Sequence, residues 1–134
     1  MIVDSSAIVA IVKKEADARI FTDALEAEIN CKISTATFVE AAIVIDAKRD
    51  PVISRRYDEI LRDAAVELIP VDALQARIAR DAYRDFGRGS GHPARLNFGD
   101  CFAYALAKAA DEPLLYKGDD FAHTDIVSAL KSAG

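Results

Sequence analysis

Met1-Ile2-Val3-Asp4-Ser5-Ser6-Ala7-Ile8-Val9-Ala10-Ile11-Val12 opens the chain and sets the class of fold. Ile2-Val3 is apolar, β-branched and stopped by three polar residues, which predicts a short buried strand running into a turn. Ala7–Val12 is apolar and too long for a tight loop. It predicts a helix, N-capped by Asp4, Ser5 or Ser6. Asp4 therefore stands where a strand hands over to a helix, and ligands in α/β sheets collect at the carboxyl ends of strands.

The same handover recurs along the chain. Glu15–Glu28 predicts an amphipathic helix of about four turns, with Ala18, Phe21, Ala24 and Leu25 inward. Cys31–Ser34 predicts a second strand, and Thr35-Ala36-Thr37 opens a helix through Phe38, Val39, Ala41, Ala42, Val44 and Ile45. Pro51 suits the first turn of a charged helix over Val52–Ala65, whose Arg55, Arg56 and Arg62 form a solvated face. Val66–Val71 is a third strand, and Asp72 caps a helix to about Phe86. A helix from Asn97 and a fourth strand at Pro113–Tyr116 follow, and 124–130 closes the chain as a strand or a helix. Strands alternating with helices predict a mostly parallel sheet of four to five strands, flanked by helices on both faces.

Composition bounds the function. The chain has 134 residues, 51% hydrophobic and 29% charged, which predicts one globular domain over residues 1–134 with a real core. No apolar run approaches the ~20 residues that span a bilayer, and no basic leader precedes the first strand. Cys31 and Cys101 are far apart and read as reduced, buried thiols. The two histidines are too few for a His-rich metal site. A net charge of −5 argues against broad attraction to nucleic acid, but leaves room for a local basic patch or a bound cation. The segment Gly87–Leu96 supplies such a patch. It reads as a mobile loop whose Arg88, His92 and Arg95 can contact phosphates, and it matches neither a dinucleotide fingerprint nor a Walker loop.

The acids carry the chemistry. Asp100 lies in the first turns of a helix among Phe98, Cys101 and Phe102, where an unpaired carboxylate costs several kcal/mol. Glu40 follows the second strand, and Asp119 and Asp120 follow the fourth. Each has a simpler alternative. Asp4 can be an N-cap alone, and Thr37-x-x-Glu40 fits a capping box. Taken together, acids at one end of one sheet, without His or Cys, make a hard-oxygen site for Mg²⁺ or Mn²⁺. Such sites serve phosphodiester hydrolysis. Aspartyl-nucleophile phosphatases need an early D-x-D, and Asp4-Ser5-Ser6 lacks its second acid.

Met1–Ile8, Thr35–Glu40, Asn97–Ala107 and Leu114–Phe121, in this order and spacing, resemble the acidic motifs of PIN domains, and more narrowly VapC toxins of type II toxin–antitoxin systems. The resemblance implies a PIN-like α/β/α fold and a Mg²⁺-dependent endoribonuclease for which Mn²⁺ can substitute. It implies that cleavage inhibits translation and leaves a 5′-phosphate and a 3′-hydroxyl. A VapB-type antitoxin, a homodimer and a cytoplasmic setting are implied as well. By motif position Asp4 and Asp100 are the principal metal ligands, Glu40 the third acid, and Asp119 or Asp120 the fourth. Asp119 is preferred because Asp120 can cap the Phe121 turn. The usual Thr of the last motif is replaced here by Tyr116-Lys117-Gly118. Ser6 is placed to hydrogen-bond a ligand or water, and Arg88, His92, Arg95 and Lys117 to grip RNA phosphates. The antitoxin is expected on the apolar surface between the Ala7–Val12, Thr37–Arg49 and Val52–Ala65 helices.

Overall fold

The computed structural model describes residues 1–130. Its centre is a parallel sheet of four short strands: β1 (Ile2–Val3), β2 (Lys32–Ser34), β3 (Glu67–Ile69) and β4 (Leu114–Leu115). The spatial order is β3-β2-β1-β4, with Ile2 opposite both Lys32 and Leu114. The two-residue period of a strand decides which layer each side chain joins. Val3 and Leu115 face one core, while Ile2 and Leu114 face the other.

The first core is covered by α1 (Ser5–Val12), α2 (Ala18–Ala27), α3 (Thr35–Asp46) and α4 (Pro51–Asp63). The second is covered by α5 (Ala73–Phe86) and α6 (Phe98–Ala110). This is the predicted α/β domain with helices on both faces. The segment after a short 3₁₀ turn at Phe121–His123 returns to β4 through a parallel bridge between Leu114 and Ser128, as a rudimentary fifth strand. Among the described residues no helix is long and apolar enough to cross a membrane.

Aspartates cap three of the helix starts. Asp4 caps α1, Asp50 caps α4 with Pro51 just inside, and Asp72 caps α5. Several of the sequence readings change. α2 begins at Ala18 rather than Glu15, because Lys14 turns into the left-handed region (φ 53°) and ends the regular run after α1. Ser34 caps α3, its hydroxyl accepting from Ala36 N–H at 3.3 Å, so Thr37 is buried in the helix and forms no capping box with Glu40. Arg56 is not simply solvated: its guanidinium donates to the Val12 carbonyl at 2.8 Å, satisfying the end of α1. Phe98 is 78% exposed at the start of α6, so it does not pack around Asp100.

The Gly87–Leu96 segment is more closely tied than a mobile loop. Arg88 N–H donates to Leu96 O and Leu96 N–H to Phe86 O, both at 2.9 Å. Ala94 and Leu96 are fully buried.

Candidate active site

The carboxyl ends of β1, β2 and β4 and the first turn of α6 meet at one edge of the sheet, and the predicted acids gather there. Asp4 is buried at 2% exposure directly after β1. Its backbone N–H donates to Leu115 O at 2.9 Å, tying it to β4. Its Oδ2 accepts from Ser6 N–H (3.1 Å) and from the Ser6 hydroxyl (2.5 Å). Among the described residues no donor reaches Asp4 Oδ1. The capping role and the site role therefore divide between the two oxygens: Oδ2 caps α1, and Oδ1 is left over. Burial, with some repulsion from Glu40 and against the Ser6 bonds, pushes the Asp4 carboxyl up to about 6.

Asp100 sits in the first turn of α6 within a true capping box. Asn97 Oδ1 accepts from Asp100 N–H at 2.8 Å, and Asp100 Oδ2 accepts from Asn97 N–H at 3.0 Å. Burial is again the main cause that pushes its carboxyl up to about 6. The Asn97 bond opposes this, the charges of Asp4 and Asp120 add to it, and Arg88 offsets part. Glu40 projects from α3 toward the same place, with Oε1 buried and without a donor among the described residues. Burial raises its carboxyl, the Ser5 side chain lowers it, and Asp100 raises it.

These effects connect the acids as neighbours: Asp4 with Glu40, Glu40 with Asp100, Asp100 with Asp4 and with Asp120. Among the described residues no three of them stand close enough to form a ready-made metal cage. What they offer is an all-oxygen edge with two orphaned buried oxygens and acids whose charged forms are penalised. That donor set suits a hard cation that keeps several waters and takes one or two carboxylates.

Asp119 and Asp120 are both exposed. Asp120 makes no side-chain cap bond to the Phe121 turn, which removes the ground for preferring Asp119, and its charge is the one felt at Asp100. Ser6 is a junction: while its hydroxyl donates to Asp4, it accepts from Lys117 N–H at 2.9 Å. Lys117 Nζ is engaged by Asp17 (3.1 Å) and Glu15 (3.4 Å), so its charge fastens the β4 loop to the turn before α2. His92 is also occupied, with Nδ1 accepting from Ala94 N–H at 3.1 Å and its ring edge-on to Phe86. Arg88 and Arg95 are exposed. Sequence reasoning missed the Asn97–Asp100 box, although N-x-x-D ahead of an apolar helix is its signal.

The chain is similar to known proteins over nearly its whole length. The family model of the PIN domain matches residues 1–127. Ribonuclease VapC28 of Mycobacterium tuberculosis is 55% identical over 130 residues, covering 97% of this chain and 98% of the relative. Ribonuclease VapC42 of the same species is 53% identical over 126 residues, covering 94% and 96%. VapC ribonuclease Mb0640 of Mycobacterium bovis is 48% identical over 128 residues, covering 96% and 97%. In fold, the chain is similar to the crystal structure of M. tuberculosis VapC20, described as a Sarcin-Ricin loop cleaving toxin. The TM-score is 0.73 at 14% identity, over 94% of this chain and 95% of that one. With matches across nearly its whole length, the chain belongs to the PIN-domain family, among the VapC ribonucleases.

Proposed function

We propose that this protein is a divalent-cation-dependent endoribonuclease and the toxin of a type II pair, restrained by a VapB-type antitoxin and acting on RNA to inhibit translation. The observation that carries the reading is the buried Asp4 Oδ1, orphaned beside Glu40 and Asp100. A buried carboxylate oxygen without a donor is costly, and a cation is the partner that relieves it. Mg²⁺ fits the oxygen donors, with Mn²⁺ as a substitute. When bound, the cation acidifies water and offsets charge on the phosphate.

The chain's own residues do the rest. Asp4 and Asp100 would hold the cation, and Ser6 fixes the Asp4 carboxylate by occupying Oδ2, which leaves the buried Oδ1 without a donor among the described residues. Asn97 orients Asp100 in the same way. Glu40, raised by burial, is placed to take the proton from the attacking water, since a carboxylate nearer neutrality is the better base. Asp120 is the fourth acid that adds negative charge at Asp100. Arg88, whose charge acts on Asp100, and Arg95, both exposed, contact RNA phosphates and supply position without reading sequence. Water adds to the phosphorus as the bond to the 3′ oxygen breaks and that oxygen takes a proton from solvent, leaving a 5′-phosphate and a 3′-hydroxyl.

The test is cleavage of a mixed RNA substrate by the purified protein with Mg²⁺, with EDTA, and by Asp100→Asn. Asparagine can still accept from Asn97 N–H, so the helix cap and the melting temperature are expected to persist. Cleavage is expected to fall on the order of 100-fold or more. Wild-type rates in this variant, or cleavage indifferent to EDTA, would overturn the reading.

A further inference from the structure

We propose that Gly99 is a positioning residue: the space left by its missing side chain is what admits the Glu40 carboxylate to the acidic edge. The inference rests on the reading of that edge given above. Gly99 is the second residue of α6 and lies outside the positive-φ region, which is occupied by Gly89, Gly91 and Gly118. Its backbone conformation therefore gives no reason for a glycine, and glycine weakens a helix relative to alanine. The reason is spatial. A Cβ at Gly99 would overlap the Glu40 carboxylate, Oε2 nearest and Oε1 at 2.8 Å. At Gly89, Gly91 and Gly118 the same atom would meet open space.

Glu40 belongs to α3 and reaches the site across the contact between α3 and the start of α6. Its Oε1 is buried without a donor among the described residues, and the Ser5 side chain is the one hydrogen-bonding group that acts on the carboxylate there. The alternative for its side chain is the shallow groove beside it, lined by Val39, Ile43, Phe98 and Phe102. A methyl at 99 would exclude the carboxylate from the edge and send it there. The third acid would then be lost without any change to its own identity.

The experiment is a double-mutant cycle of Gly99→Ala and Glu40→Ala, read by thermal melting in EDTA and by Mn²⁺ titration without RNA. In the Glu40→Ala background the new methyl meets no carboxylate, and Gly99→Ala should raise the melting temperature by about 2–3 °C through helix propensity. In the wild-type background the rise should vanish or reverse. Mn²⁺ binding should weaken about 10- to 100-fold in either single variant, with the double variant no worse than Glu40→Ala. An equal rise in melting temperature in both backgrounds overturns the inference. So does failure to fold in both, because the constraint would then come from something other than Glu40. Glu40→Gln provides the separate arm. If it binds Mn²⁺ and cleaves RNA as the wild type does, the role assigned to Glu40 fails, while the melting cycle still judges Gly99.

Discussion

Asp4→Asn should stabilise the metal-free protein while it removes a proposed metal ligand. The Asp4 carboxyl, ordinarily at 3.8, is pushed up to about 6 by burial, so its charged form is penalised in the folded state. At about 1.4 kcal/mol per factor of ten, that penalty is about 3 kcal/mol at neutral pH. Asparagine is uncharged and nearly isosteric. Its carbonyl can keep the bonds from Ser6 N–H and the Ser6 hydroxyl. The Ser6 bonds already enter that value, but an amide NH2 at the Oδ1 position is a buried donor without a partner, which trims the expected gain to about 2 kcal/mol. For 134 residues, with an unfolding entropy of about 2.1 cal/mol/K per residue, this is about 7 °C in melting temperature.

The sign with pH follows from proton counting. Between 3.8 and about 6 the folded wild type holds more protons at Asp4 than the unfolded chain, so its contribution to stability falls as pH rises. Below that window Asp4 is protonated in both states and the penalty is absent; above it the penalty is complete. The advantage of Asp4→Asn should therefore be near zero at pH 4, grow through pH 5 and level off by pH 7. Paired melts of the two proteins in EDTA across this range measure it as a difference, in which titrations away from Asp4 cancel and the fall of the Asp100 carboxyl, relieved of the Asp4 charge, adds to the gain. Saturating Mn²⁺ should raise the melting temperature of the wild type and leave the variant where it was. A variant less stable than wild type at pH 7, or an advantage independent of pH, would refute the burial argument.

Two other substitutions separate roles that lie close in sequence. Asp120→Asn should lower cleavage about tenfold or more, whereas Asp119→Asn should leave it within about twofold, because only the Asp120 charge reaches Asp100; a rate assay at fixed Mg²⁺ decides. Phe98→Ser should change stability by no more than about 0.5 kcal/mol in a urea melt, given 78% exposure, and a loss of several kcal/mol would show that this ring packs in solution.

Local chemistry was enough for most of the framework. The short apolar strands, the caps at Asp4, Asp50 and Asp72, and the placement of Asp4 and Glu40 after consecutive strands are all signals within a few residues. From them the parallel α/β order and the gathering of acids at one sheet edge are legible, because parallel strands bring their carboxyl ends together. The contrast between the two capping boxes shows where that legibility ends. Thr37-x-x-Glu40 and Asn97-x-x-Asp100 are equally plausible on paper. The box forms only at Asn97, since β2 runs through Ser34 and makes that residue the cap of α3.

Properties that depend on residues distant in the chain needed the tertiary structure. The reach of Arg56 to the end of α1 spans 44 positions, and the Lys117 N–H bond to Ser6 spans 111. The exposure of Phe98 depends on what α3 and α5 leave uncovered, which periodicity within α6 cannot express. Which of Asp119 and Asp120 places its charge near Asp100 is decided by the path of the turn after β4. Gly99 is the clearest case, because nothing in its own helix calls for glycine. Only the fold brings the Glu40 carboxylate onto it, and steric exclusion acts between whichever atoms meet in space, however far apart they lie along the chain.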